Sequence, residues 1–413
     1  MNKEPEFSLL SKDFILICLA NFCYFGSFYI LVPAMPQYVV SLGGTTGQVG
    51  IIMGLFTFSS VVVRPYFGNT ADVRGRKSIM LLGSGFFVLS PLMYMAVNSL
   101  IPLYLARIAH GFAHAAYLVA AMAYIADMAP PHRRGEVIGI FGVANILGMA
   151  VFPAWGTHVL SSGGSFQYLF FLGALTALVS VIAILLVDDI RPPAHSAVKS
   201  RGFMKVGTRP AVLIPSIALL SGATCYGAVL TFLPLFAPQR GLPDFGIFFI
   251  VYSFSTILSR VLGGRLSDRI GRRKVIIPCM VLLAFSICLL PFLHTIQFLA
   301  VVSFLFGLSF GSFMPTLNAL VVDHTAPHER GSALAFFMSF MDVGITVGSM
   351  ALGFVAEGFG YPAVYWICGA LVLATMLIFT FFLPRGEKGP TEERLPLRQG
   401  EGRKGPGTQE KTS

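Results

Sequence analysis

The sequence predicts an all-α membrane protein, with twelve transmembrane helices in two pseudo-symmetric six-helix bundles. Three observations carry that expectation. The 413 residues are 55% hydrophobic and 12% charged, against about 25% charged in a typical soluble domain. The second half of the chain repeats the first at an offset of 196 positions: Arg64 falls on Arg260, Gly111 on Gly307, Asp127 on Asp323, and Pro131-His132 on Pro327-His328. The Lys and Arg residues collect on one side of the expected helices. A chain that repeats once, with charged punctuation between long apolar runs, is a two-fold internal repeat of the parallel kind found in secondary transporters.

At about 20 apolar residues per crossing, the low-charge runs divide into spans at 13–40, 47–67, 78–97, 101–128, 136–160, 166–187, 209–236, 244–263, 275–293, 296–323, 332–357 and 361–383. Pro33 and Pro36 sit late in the first span, and Pro234 holds the corresponding place in the seventh. Pro153 interrupts the fifth and Pro315 the tenth. Such residues are tolerated in membrane helices because neighbouring helices satisfy the freed backbone groups. Helices are expected throughout, since each span must satisfy its own backbone in lipid and no barrel-like alternation is present. Residues 1–187 then form one bundle, 188–208 a polar linker, 209–383 the second bundle, and 384–413 a disordered tail rich in Gly, Pro and charge.

The net charge of +10 is a topology signal and gives no support to a nucleic-acid partner. Of 29 Lys and Arg, 25 fall on the loops and tails of one side, Arg64, Arg107 and Arg260 lie inside spans, and Arg240 alone is on the other side. The positive-inside rule makes the basic side cytoplasmic, together with both termini and the linker. The six cysteines all lie in apolar runs without CxxC spacing, which suits packing better than disulfides or metal ligation. The first span is expected to act as an uncleaved insertion signal.

Two charged segments punctuate equivalent places. One carries Gly68, Asp72, Gly75, Arg76 and Lys77; the other carries Gly264, Asp268, Arg269, Gly271, Arg272 and Arg273. As a turn, each offers Gly68 or Gly264 for close helix approach and Gly75 or Gly271 for a backbone that other residues resist. The aspartates are placed to cap a helix or pair with an arginine. With Asp127 and Asp323 also duplicated, a charge network on the basic face is expected. The pattern Gly-x-x-x-Asp-[Arg/Lys]-x-Gly-[Arg/Lys]-[Arg/Lys] resembles the signature of the major facilitator superfamily. Residues 264–273 match it fully, whereas Val73 replaces a basic residue in the first copy, which implies a weaker network there. Arg107 to Gly111 resembles the family's fourth-helix element, and Asp127 to Gly135 resembles its continuation. Residues 148–156 look like a degraded antiporter motif in which Phe152 and Thr157 replace two glycines.

That resemblance, covering about residues 13–383, implies a monomeric transporter of a small molecule coupled to protons, with no cofactor. It also implies that the first, fourth, seventh and tenth helices surround a central cavity. The candidate lining residues are Asn21 and Tyr24, then His110, His114 and Tyr117, then Thr224 and Tyr226, and finally Thr316 and Asn318. Charge within a span costs several kcal/mol unless it meets a cavity or partner. Arg64 and Arg260, four residues before the charged segments, are expected to reach the membrane surface. Asp342 is different. It lies eleven residues past Gly331, about 16 Å along a helix and near the middle of the core. Desolvation there disfavours a carboxylate's charged form, which makes Asp342 the first candidate for proton coupling. Arg107 is the second, heading a stripe with His110 and His114 that offers either a proton relay or ordinary packing. The histidines are four apart, but no carboxylate or cysteine accompanies them on that helix, so a metal site has no support.

The leading expectation is therefore a proton-coupled exporter of amphipathic molecules, drugs or metabolites in the cell membrane. A proton-coupled uptake symporter for a sugar or organic acid is the alternative, followed by a transport-dead membrane sensor. No nucleotide-binding glycine loop, HExxH or histidine box is present, so an enzyme has no support.

Overall fold

The computed structural model of the chain describes residues 8–130, 132–189 and 203–383. All regular structure among these residues is helical: α1 (Lys12–Ser41), α2 (Thr46–Arg74), α3 (Arg76–Ala96), α4 (Leu100–Met128), α5 (Arg134–Ser161), α6 (Phe166–Leu185), α7 (Phe203–Gly207), α8 (Pro210–Gln239), α9 (Ile247–Ile270), α10 (Arg272–Leu289), α11 (Ile296–Asp323), α12 (Arg330–Phe359) and α13 (Tyr361–Phe382). Twelve are long and apolar enough to cross a membrane. The exception, α7, occupies the end of the segment expected to be a plain linker. Residues 190–202, Pro131 and the 384–413 tail lie outside the described residues.

The helix ends follow from local chemistry. Ser11 accepts the Phe14 N–H at the start of α1, and Thr45 and Gln48 form a reciprocal capping box on α2. At the opposite end, α2 runs on to Arg74 and α9 to Ile270, so most of each charged segment is helical rather than a turn. The direction change is confined to one residue: Gly75 at φ 94° and Gly271 at φ 98°, a region that side chains with a Cβ rarely adopt.

Helices α1–α6 form one bundle: α1 packs on α5 and α6, α2 and α3 pack on α4, and α3 packs on α6. The second bundle repeats every one of these neighbours: α8 on α12 and α13, α9 and α10 on α11, and α10 on α13. The bundles meet where α2 crosses α12, where α5 crosses α9, and along α1 and α8.

Glycines locate the contact between the bundles. A methyl group at Gly47 would strike Glu357 and Phe354, at Gly50 the Ser349 carbonyl and Gly353, and at Gly54 Met350. Gly246 lies against Thr157 and Ala154 in the same manner. All these positions belong to the ends of the helices joined by short loops. Toward the basic face, Gly68 meets only Val119 of its own bundle, and Gly135, Gly139, Gly142, Gly264 and Gly331 meet nothing. The bundles are thus sealed at the short-loop face and separate toward the basic face. Gly68 and Gly264 do not support close packing between helices in this structure, contrary to the expectation from sequence.

Candidate functional site

On the basic face the repeat builds the same chain of charges twice. Arg76 donates to Asp72 one helical turn before it, and its Nε reaches Asp127 at the end of α4 at 3.3 Å. Arg272 does the same with Asp268 and with Asp323 at 3.0 Å. The residue after each arginine caps the last helix of its bundle: Lys77 donates to the Leu185 and Val187 carbonyls, and Arg273 to the Thr380 carbonyl. Cations are favoured at that end of a helix dipole. Val73, which breaks the motif, is 86% exposed, and the Asp72–Arg76–Asp127 chain is complete without it. The first network therefore has the same pairs as the second. Beside α12, Glu329 accepts two bonds from Arg209 at 2.5 and 3.0 Å, which hold its carboxyl below the ordinary carboxylate range.

Deeper in the molecule, Asp342 of α12 is paired. Both of its carboxylate oxygens accept from Arg64 of α2, at 2.5 and 3.3 Å, across the boundary between the bundles. Sequence reasoning sends Arg64 to the membrane surface, but the carboxylate draws it inward. A charge within an apolar span is better satisfied by a bidentate partner than by a stretched side chain. Among the described residues, no hydrogen bond or ion pair joins the bundles nearer the basic face than this one.

The α4 stripe faces the interior of its own bundle. His110 is fully buried, its Nδ1 2.8 Å from the Tyr94 hydroxyl of α3. His114 Nδ1 lies 3.2 Å from the Tyr24 hydroxyl of α1. Tyr117 stacks on Tyr24 at 3.5 Å and donates to Asn21, which in turn donates to the Phe141 carbonyl. Arg107 is buried without an ion pair among the described residues; its Nε donates to the Ile52 carbonyl, and its guanidinium sits 4.8 Å over Phe56. Asn21, Tyr24, His110, His114 and Tyr117 are therefore brought together as one aromatic and imidazole cluster, set back from the boundary between bundles.

The lining residues expected in the second bundle divide into two pairs. Thr224 and Thr316 are buried and donate to carbonyls of their own helices. Tyr226 and Asn318 are half-buried. Tyr226 reaches across to Met149 at 3.5 Å and stacks on Phe310. Beside it, Tyr29 donates to Asn145 at 3.0 Å. Tyr29, Asn145, Met149 and Tyr226 make a polar and aromatic seam between the bundles. In the degraded antiporter segment, Phe152 covers Gly26 and Gly156 lies against the Ile30 carbonyl and Pro33, so it packs α5 closely on α1.

Two carboxylates fasten the short-loop face. Glu357 at the end of α12 accepts from the Thr45 hydroxyl at 3.1 Å and the Gly47 N–H at 3.0 Å, at the N-terminus of α2. Asp244, before α9, accepts from the Thr157 hydroxyl at 3.0 Å and faces His158 Nδ1 at 3.1 Å. Each contact joins one bundle to the other.

The sequence profile of the Major Facilitator Superfamily matches residues 17–259 and 243–401. The chain belongs to that superfamily. It is a twelve-span membrane transporter and not an enzyme. Among major facilitator relatives, an uncharacterised MFS-type transporter of Methanocaldococcus jannaschii is 26% identical over 370 residues, covering 86% of this chain and 94% of that one. The multidrug resistance protein MdtG of Klebsiella pneumoniae is 26% identical over 375 residues, covering 87% and 90%. Two solved structures have the same fold. The nucleoside transporter NupG, as its D323A mutant, has a TM-score of 0.75 at 17% identity, covering 90% of this chain and 99% of that one. A bacterial homologue of the human lysosomal transporter Spinster, inward-facing and unoccupied, has a TM-score of 0.69 at 15% identity, covering 90% and 94%.

Within this major facilitator fold, reasoning from sequence missed the partner of Asp342, the Tyr29–Asn145 pair and both carboxylates of the short-loop face. A signal existed for the last two. Among the described acidic residues, Asp244 and Glu357 alone fall at that face.

Proposed function

We propose that this transporter is a proton-coupled exporter of small amphipathic molecules, working by alternating access in the cell membrane with its basic face toward the cytoplasm. The observation that carries the coupling is the Arg64–Asp342 pair. It joins the two bundles at the depth where they begin to separate, so opening the short-loop face requires those charges to change partner or protonation. Protonating Asp342 removes the charge–charge attraction and frees α12 from α2; losing the proton restores it. On this reading the bundles are open to the cytoplasm, and substrate enters from there.

The substrate contacts are proposed to be Tyr226 and Asn318 from the second bundle, joined by Tyr29 and Asn145 from the first. An aromatic seam with few polar groups suits amphipathic compounds. The cluster around Arg107, His110 and His114 is kept as a second route for proton handling, acting from behind the seam. Export rather than uptake is supported by the relatives named multidrug resistance protein and by residues 148–156.

The test is flux in proteoliposomes loaded with a panel of organic cations, dyes and small metabolites. Export predicts substrate movement opposite to an imposed proton gradient, with proton release measurable in the same vesicles. Accumulation in the direction of the proton gradient would instead establish the symporter. Labelling of a cysteine at Thr208 from outside intact cells would overturn the orientation.

A further inference from the structure

At the short-loop face the two bundles leave a cleft of about 650 Å³ between the ends of α1 and α2 on one side and of α8 and α12 on the other. Its size falls within the ~300–1,000 Å³ of small-molecule sites. It lies at the opposite end of α2 and α12 from the Arg64–Asp342 pair, and none of the substrate contacts proposed above lines it. One carboxylate lines it, that of Glu357. Thr45 and Gly47 donate to that group, but no Lys, Arg or His pairs with it among the described residues. Its negative charge therefore lacks a basic counter-charge. Gln37 and Gln239 bring side-chain amides from opposite bundles, and Phe166 and Tyr361 contribute aromatic rings.

We propose that this cleft binds a monovalent organic cation, an ammonium bearing aromatic or alkyl groups, and that the bound cation ties the two bundles together. Each part of the lining has a role in that choice. An anion would meet the Glu357 carboxylate, whereas an ammonium gains from it. Aromatic faces attract cations and cover their apolar substituents. Amide oxygens of Gln37 and Gln239 turn toward positive charge. Because the walls come from both bundles, the site is complete only while this face is closed. A ligand that binds one state of an equilibrium stabilises that state. Such a cation, added from the short-loop side, would slow the transport cycle; that consequence rests on the alternating-access reading, but the binding does not.

The test uses the purified full chain in lipid nanodiscs, with its six native cysteines replaced and a single cysteine placed at Gln239, which is exposed at the rim. Benzyltrimethylammonium is the probe, and 2,2-dimethyl-3-phenylpropanol is the neutral molecule of similar shape. At saturation the cation should slow labelling by a membrane-impermeant maleimide about five-fold or more, while the neutral compound does not, as expected for a charge held over aromatic faces. Glu357→Gln should remove the protection. Tyr361→Leu, which leaves the bonds of Glu357 to Thr45 and Gly47 in place, should raise the half-protecting concentration about three-fold or more. Equal protection by the neutral compound, no protection by the cation, or an unchanged protection curve in either variant would overturn the proposal. Labelling needs no flux, so a protein that transports nothing in the vesicle assay but shows this protection would sink the exporter reading and leave the cleft site standing.

Discussion

The corner where α2 meets α12 and the corner where α5 meets α9 occupy equivalent places in the repeat, yet they differ in charge. The first holds Arg64 against Asp342. In the second, Arg260 matches Arg64, but the position equivalent to Asp342 is Ile146, and Arg260 is exposed with no ion pair among the described residues. The surrounding architecture is shared. Both corners close at the short-loop face through glycine and a carboxylate, and both end on the basic face in the same Asp–Arg–Asp chain. Repetition thus supplies the scaffold, and departure from repetition marks where charge can be coupled to movement.

Breaking the special corner should have the largest effect. Asp342→Asn is expected to lower proton-driven flux about 100-fold or more while downhill exchange continues, because the bundles can still move without the carboxylate. Removing one member of a buried pair costs roughly 3–5 kcal/mol. Arg64 and Asp342 side chains are 27% and 16% exposed, so the loss should sit near the lower limit, or below it, and the variant should still fold. Proteoliposome flux with and without a pH gradient checks the outcome; full proton-driven flux would make Asp342 structural.

The shared features should matter less. Asp72→Asn and Asp268→Asn each remove one ion pair from an exposed chain whose pairs are worth about 0.2–1 kcal/mol apiece. They are expected to slow the cycle by up to about five-fold and leave equilibrium substrate affinity within about two-fold, as measured by flux and by binding. A lost affinity with normal folding would show that the network shapes the substrate site.

At the closed face, Glu357→Gln and Asp244→Asn should each raise the accessibility of that face about five-fold, in line with about 1 kcal/mol for an exposed hydrogen bond to a charged group. Distances between spin labels on the α2 and α12 ends, and on the α5 and α9 ends, would separate the two fastenings. The comparison is sharpened by Arg260→Ala, which should change flux by less than about three-fold because it breaks no ion pair. An effect as large as that of Asp342→Asn would mean that the two corners act alike. Smallest of all, Val73→Arg restores the motif but should alter transport by less than about two-fold, since Arg76 already bridges Asp72 and Asp127.

Much of this is legible in the amino-acid sequence. A bilayer demands long apolar helices, so twelve spans stand out by composition, and the helices found differ mainly at their ends. Asp342 stands out because a carboxylate in an apolar run has few excuses. Its partner does not, because Arg64 lies 278 positions away and reads as an anchor at the membrane surface. Helical spacing correctly groups His110, His114 and Tyr117 on one face of α4. It carries no information about which neighbour receives that face, and Tyr24 and Tyr94 receive it within the bundle. Glu357 and Asp244 belong to no motif. Their role depends on helix ends meeting across the two bundles.

The sequence by itself determined the membrane environment, the twelve helices, the two-fold repeat and the charged segments at Gly75 and Gly271, because hydropathy, offset and glycine conformation are local or periodic properties. Tertiary structure alone decided which charges meet. Whether Arg64 finds water or Asp342, and whether Glu357 finds solvent or the start of α2, depends on how two rigid bundles lean against each other. That arrangement is set by packing at Gly47, Gly50, Gly54 and Gly246, where the absence of a side chain lets one bundle approach the other.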